Sequence, residues 1–221
     1  FVFVSTNKVY GGLEDLEVRE TDDRYYFPDL PVGIAEDREL DFHSPYGCSK
    51  GAADQYVMDY GRSYGLSTLV LRQSCIYGTR QFGIEDQGWV AWFVIAAVTG
   101  RSLTLYGTGK QVRDILYIDD LVDFFLMISD NINAYRGEVL NIGGGAERAV
   151  SLLQLLKLIE SVLGRKIPIE FGQARVGDQP VYISDIGKAT SVTGWVPKVS
   201  VEEGVLKLVK WVEDNKFLFA T

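Results

Sequence analysis

Phe1 to Val4 and Ser67 to Leu71 read as strands, and neither shows the apolar and polar alternation of a half-exposed sheet. Between them the period changes. Ala53, Tyr56, Val57 and Tyr60 recur at helical spacing in a segment from Pro45 to Tyr64, with Ser44 as N-cap, Pro45 in the first turn and Gly65 as the stop. Strand, helix and strand with buried strands predict a parallel α/β sheet. Residues 12–43 are acidic and aromatic, punctuated by Gly and Pro and without a sustained period, which predicts a long excursion above that sheet.

Further along, Trp89 to Thr99 predicts an apolar helix closed by Gly100, Leu103 to Tyr106 a short strand, and Glu138 to Ile142 another. Asp119 is the expected cap of a helix through Ile128. Ser151 with Gln154, and Ser200 with Glu203, have the spacing of capping boxes and open helices that end near Gly164 and Asn215. The later part is therefore mixed α and β. A polar turn at residues 80–88 divides the chain into expected domains at 1–80 and 81–221, with some elements of the first interleaved around 110–150. No repeat or low-complexity segment interrupts it.

Composition narrows the class. A chain of 221 residues that is 47% apolar can bury a sizeable core. The formal charge of −8 argues against nucleic acid or an anionic membrane as partner, because a phosphate backbone is met by spread Lys and Arg. Cys48 and Cys75 stand in unlike contexts, supporting neither a disulfide framework nor a CxxC metal site, and point to a reducing, cytoplasmic setting. The longest apolar run, Trp89 to Val98, is about half a bilayer span, and no signal-peptide pattern opens the chain.

Candidate chemistry lies in two short stretches, "STNKVYGG" at 5–12 and "SPYGCSK" at 44–50. Tyr46 and Lys50 are four apart at the start of a helix, so both can face one ligand. A tyrosine hydroxyl titrates near pH ~10, and bringing it to neutrality takes about 4 kcal/mol of preferential stabilisation of the phenolate, which an ammonium and a helix N-terminus can supply. Alone, the YxxxK spacing is equally that of an exposed lysine beside a packing tyrosine. Ser5 and Thr6 add to it, since they end a buried strand at the sheet edge where ligands collect.

In order, "STNKVYG", "SPYGCSK", "LRQSCIYG" at 71–78, "GKQVRDILYIDDLV" at 109–122, "EVLNIGGG" at 138–145, "ARVGD" at 174–178 and "GWVPKVSVEEGV" at 194–205 resemble the extended short-chain dehydrogenase/reductase family of nucleotide-sugar epimerases and dehydratases. The resemblance spans essentially the whole chain. It implies the C-terminal part of a Rossmann-type parallel sheet plus a smaller mixed α/β substrate domain, with NAD as cofactor and a nucleotide-sugar substrate. It implies Tyr46 as general base, Lys50 as its electrostatic partner and ribose ligand, and Thr6 as the contact to the sugar hydroxyl. Ser5 and Gln73 are the further cofactor contacts it implies. Arg113 and Arg175 correspond to the diphosphate-binding arginines, a role suited to bidentate guanidinium groups. Asp178 orients, and Leu105 and Tyr106 lie on the strand that packs on the nucleotide base. His43 carries no catalytic part.

Two departures stand out. Cys75 and Thr79 replace the Asn and Pro of an "LRxxNxYGP" pattern, which alters the usual substrate contact at Cys75. No GxGxxG occurs, so the chain reads as the C-terminal two thirds of an enzyme, lacking the pyrophosphate-binding half of the Rossmann unit. Where the dehydratases carry carboxylic acids after the Ser/Thr, this chain has Asn7 and Lys8, which favours oxidation and re-reduction without loss of water. The insert before YxxxK and "RQFGIEDQGWVAWF" at 80–93 most resemble members that invert C2 of a CDP-linked 3,6-dideoxyhexose, converting CDP-paratose to CDP-tyvelose for surface polysaccharide. There Gln87 and Trp89 are the expected sugar contacts, and a Trp- and Phe-rich helix suits a deoxysugar's methyl and methylene surface. The alternatives are another epimerase, such as one acting at C4 of a UDP-hexose, and a non-catalytic nucleotide-sugar-binding fragment. A homo-oligomer follows from the resemblance.

Overall fold

The computed structural model describes residues 1–175 and 177–219, so Val176 of the "ARVGD" stretch lies outside the described residues. In chain order the regular elements are β1 (Val2–Thr6), β2 (Arg19–Glu20), β3 (Tyr25–Tyr26), α1 (Ser44–Tyr64), β4 (Leu69–Gln73), β5 (Cys75–Tyr77), α2 (Trp89–Thr99), β6 (Leu103–Tyr106), β7 (Val112–Tyr117), α3 (Ile118–Ser129), β8 (Glu138–Ile142), β9 (Ala149–Ser151), α4 (Leu152–Leu163), β10 (Ile169–Gly172), β11 (Val181–Tyr182), α5 (Gly187–Thr193) and α6 (Val201–Asp214).

The expected parallel α/β architecture is present. β1, β4 and β8 form a parallel sheet in that order, with Val2 opposite Leu69 and Leu69 opposite Glu138. A second group runs β11, β7, β5, all parallel, with β9 antiparallel on β7, and β10 pairs β6 in parallel. Leu69, Val70 and Leu71 are fully buried, which is why β4 reads as an uninterrupted apolar run.

α1 crosses the first sheet on a face of small residues, with Gly47, Gly51 and Asp54 buried. A Cβ on Gly51 would meet the Phe42 ring at 2.2 Å, so the glycine admits that ring against the helix. Ser44 is the first helical residue and not the residue before it, yet its Oγ accepts from the Gly47 N–H at 3.1 Å, the bond expected of a cap. Its φ of 64° lies in the left-handed region, uncommon for a residue with a Cβ. α3 likewise begins early, at Ile118, two residues before a helix capped by Asp119 would start, which leaves Asp119 and Asp120 in its first turn. Asp120 is the more committed of the two. Its carboxylate accepts from the Lys198 and Val199 N–H groups at 2.9 and 3.0 Å and so ties α3 to the approach of α6.

Residues 12–43 do not float. The β2–β3 hairpin within them is pinned to the far half of the molecule: Tyr25 N–H donates to Lys110 O, Ser151 Oγ donates to Asp23 O at 2.6 Å, and Lys157 pairs with the Asp23 carboxylate at 3.1 Å. Ile34 forms a parallel bridge with Ser184. The segment is a strap across both halves.

α2, α4 and α6 enclose the largest core, where Tyr77 and Tyr117 meet edge to face at 5.5 Å. Gly204 of α6 lies against this pair, and a Cβ there would stand 2.1 Å from Tyr77 Oη and 3.0 Å from the Tyr117 ring. Both rings are buried and cannot retreat. Gly204→Ala therefore sets a helix-propensity gain of about 1 kcal/mol against overpacking of about 1–3 kcal/mol. We expect a net loss, seen as a melting midpoint lowered by a few degrees; an unchanged or raised midpoint would refute the packing described.

Candidate active site

The carboxyl ends of β1 and β4 and the first turns of α1 gather the hydroxyls and the YxxxK pair. Thr6 ends β1 and is buried, opposite Gln73 in register. Its Oγ1 accepts from the Lys8 N–H at 3.3 Å and thereby caps a short 3-10 turn over Asn7–Tyr10. Tyr46 is 54% exposed, and among described residues no hydrogen bond to its hydroxyl is formed. Lys50 donates to Val4 O at 2.7 Å and lies 4.9 Å from the centroid of the Phe3 ring, so a backbone carbonyl in the middle of β1 holds its ammonium. His43 immediately precedes α1 and contacts the Asp41 carboxylate at 3.0 Å.

Ser5 faces the other way. Its hydroxyl donates at 2.7 Å to Asp54, which is bound in turn by Arg72 through two contacts at 3.1 and 3.2 Å. Arg72 Nη1 reaches Tyr10 Oη at 3.2 Å, and Tyr10 donates to Asn141 at 2.7 Å. Burial pushes the Tyr10 hydroxyl up to about 12 despite the opposing guanidinium, so it stays protonated and serves as a donor. This buried network locks β1, β4, β8 and α1 together directly beneath the hydroxyl pair.

Lys8, two residues past Thr6, lines a cavity of about 380 Å³. Its apolar wall is Trp89, Trp92 and Phe93 of α2, and its polar wall carries Lys8, Arg113, Arg175 and Asp178. Arg113 is buried on β7, pairs with Asp178 at 2.6 Å and donates to Val112 O. Arg175 sits 4.3 Å from the centroid of the Tyr106 ring and pairs with Asp86 at 2.9 Å. Cys75 lines the floor, and burial pushes its thiol up, with Arg113 opposing.

The fold thus brings Cys75, Trp89, Tyr106, Arg113, Arg175 and Asp178 around one cavity. It does not bring Leu105 or Gln87 there. Leu105 is fully buried in the core, and its neighbours Thr104 and Tyr106 face the cavity, as alternation along a strand dictates. Gln87 is exposed and pairs through its backbone with Ile84 outside the lining residues. Thr6, Tyr46 and Lys50 stand outside the lining too, and of the lining residues Lys8 is the one bonded to Thr6, through its backbone N–H. That lysine is the residue sequence reasoning passed over. Burial first, and Arg113 next, hold its ammonium below the usual lysine range, while Asp178 and Cys75 oppose.

A model of the NAD dependent epimerase/dehydratase family matches residues 1–143. The CDP-paratose 2-epimerase of Salmonella typhi is 46% identical over 215 residues, covering 95% of this chain and 64% of its own length. Among solved structures, UDP-glucose 4-epimerase of Thermotoga maritima with UDP-glucose superposes with a TM-score of 0.79 at 33% identity, over 99% of this chain and 64% of that one. The dTDP-glucose 4,6-dehydratase of Bacillus anthracis in complex with NAD gives 0.79 at 29% identity, over 98% and 62%. The chain therefore spans just under two thirds of the length of each of these relatives.

Proposed function

The chain belongs to the NAD-dependent epimerase/dehydratase family, and from that premise we propose that it acts in an epimerase inverting C2 of a CDP-linked 3,6-dideoxyhexose by oxidation to a keto sugar and re-reduction. The observation carrying the reading is the 46% identity, over 95% of the chain, with a CDP-paratose 2-epimerase. Two features of the site support it. Asn7 and Lys8 follow Thr6, so no carboxylic acid stands directly after the hydroxyl to assist loss of water. The cavity wall is aromatic, matching a sugar with methyl and methylene surface that strands no polar groups when buried.

The residues at the sheet edge fit NAD. Gln73 Nε2 is buried without a partner on the strand paired with Thr6, Lys50 has donors beyond the one given to Val4 O, and the Tyr46 hydroxyl is open. Tyr46, Lys50 and Gln73 are the residues we assign to hold it; Ser5, expected to join them, instead gives its buried hydroxyl to Asp54 and supports the strand from behind. When bound, NAD supplies the reversible two-electron oxidation of the sugar carbon.

In this reading the Tyr46 oxygen takes the sugar hydroxyl proton and returns it, and the Lys50 ammonium favours the phenolate. Thr6 hydrogen-bonds the same sugar oxygen and so orients it toward Tyr46. Arg113 and Arg175 take the diphosphate, with Asp178 holding the Arg113 guanidinium in plane and Asp86 exchanging with phosphate on the exposed side. Trp89 and Cys75 bound the sugar, and Tyr106 stacks near the base with Leu105 packing behind it. The enzyme works in the cytoplasm as a homo-oligomer. The free thiols and the exposed Tyr56, Tyr60 and Tyr64 of α1 support that setting and a contact surface.

Incubation of the purified protein with NAD and CDP-paratose, followed by proton NMR of the anomeric region, tests the proposal. Accumulation of CDP-tyvelose to an equilibrium ratio is the expected result. Turnover of UDP-glucose to UDP-galactose, with CDP-paratose untouched, would replace it with a C4 epimerase.

A further inference from the structure

Among described residues, Lys8 is the one cation lining the cavity that has no carboxylate within ion-pair distance, since Arg113 is paired with Asp178 and Arg175 with Asp86. One side chain within reach orients it loosely. Lys8 Nζ donates to Gln179 Oε1 at 3.5 Å, and Gln179 is held from behind because its Nε2 donates to Gly11 O at 2.5 Å. Gln179 is almost fully buried, so it aims the ammonium without neutralising it. The weak contact leaves donors of the ammonium uncommitted.

Lys8 also stands beside Arg113, and two cations side by side in a half-buried wall repel unless an anion comes between them. Their neighbours Asp178 and Cys75 do not settle that imbalance, because Asp178 is spent on Arg113 and burial keeps the Cys75 thiol protonated. In the chain Lys8 is two residues past Thr6, and in the fold it lines the same cavity as Arg113 and Arg175.

We propose that Lys8 is a further substrate-binding residue, donating to the phosphate nearest the sugar so that one diphosphate oxygen is shared between Lys8 and Arg113. The inference rests on the nucleotide-sugar reading and deepens it. The pyrophosphate is then gripped at both ends, by Lys8 and Arg113 on the sugar side and by Arg175 on the base side. That grip sets how far the sugar reaches toward Thr6 and Tyr46.

Calorimetric titration of wild-type, Lys8→Met and Lys8→Arg proteins with CDP and with CMP separates the possibilities, with circular dichroism confirming that each variant is folded. Loss of a charge-assisted hydrogen bond to phosphate predicts that Lys8→Met binds CDP about 10- to 100-fold more weakly. CMP, which lacks the sugar-side phosphate, should bind wild type and Lys8→Met alike, and Lys8→Arg should recover part of the CDP affinity. CDP binding by Lys8→Met within twofold of wild type would overturn the assignment while leaving the nucleotide-sugar reading intact. Equal losses for CDP and CMP would also overturn it, by placing Lys8 at the other phosphate. A wild-type protein that binds neither nucleotide would overturn the reading of the cavity itself.

Discussion

Arg72→Met is expected to destabilise the protein by about 3–5 kcal/mol, because it strands the buried Asp54 carboxylate. Both side chains of the pair are essentially inaccessible, at 4% and 0% exposure, so solvent does not screen the loss. The arginine also gives up its bond to Tyr10 and a contact to Glu36 O, which no methionine can replace. For a chain of this size the loss corresponds to a melting midpoint lower by roughly 6–20 °C, and urea unfolding gives the free energy directly. Arg72→Met combined with Asp54→Leu removes both charges and should recover much of the loss, since an apolar replacement of a whole buried pair is often near neutral. A single variant within about 1 kcal/mol of wild type would mean that the pair is not the clamp described. The functional stake is position, because the network joins the β1 residue preceding Thr6 to the helix that carries Tyr46 and Lys50.

The second large effect is on turnover. Tyr46→Phe is expected to lower kcat by about 10²- to 10⁴-fold, the range for removing a general base, with CDP affinity and melting midpoint unchanged. The separation follows from the structure. The Tyr46 side chain is half exposed and its hydroxyl is bonded to nothing among described residues, so deleting one oxygen costs the fold nothing. Steady-state kinetics on CDP-paratose with saturating NAD measures the effect. A fall confined to KM would assign Tyr46 to binding and leave the base unidentified.

What the sequence disclosed depended on how local the signal was. β1, β4, α1, α2 and the capped helices α4 and α6 follow from apolar period and cap residues within a few positions of one another. At α4 the full reciprocal capping box forms, whereas at α6 only the Ser200 half is made. β7 stayed hidden because Arg113 and Asp114 interrupt its apolar pattern. Both are buried in the fold, Arg113 satisfied by Asp178 and Asp114 by the Ser74 hydroxyl at 2.5 Å and the Gly145 N–H at 3.2 Å. Burial raises the Asp114 carboxyl above its ordinary range despite those donors, a sign of how completely it is enclosed. Partners 31 to 65 residues away cannot be read from local period.

The site divides in the same way. Tyr46, Lys50 and Thr6 announce themselves by spacing and by order. Lys8, in a run of polar residues, looks like any solvated lysine until the fold sets it against Arg113 and Gln179. Leu105 and Tyr106 were equivalent as sequence, and only strand direction separates the buried leucine from the tyrosine under Arg175.

The strap has a kinetic meaning. Asp23 waits for Ser151, which follows 128 residues later, and Ile34 waits for Ser184. At ribosomal speeds of about 5–20 residues per second, the first of those partners emerges on the order of ten seconds after the segment that needs it. Through that interval the segment can close only on the early elements, through Asp41 to Val9 O, Phe42 against Gly51 and Arg72 to Glu36 O, while its hairpin stays without its later partners. Long-range closure of this kind also slows refolding, since the loop entropy is lost before the contact rewards it. Closure of the strap thus waits on translation of the segment from Ser151 to Ser184, and a ribosome pause before residue 151 would prolong the period in which its hairpin is open to proteases and chaperones.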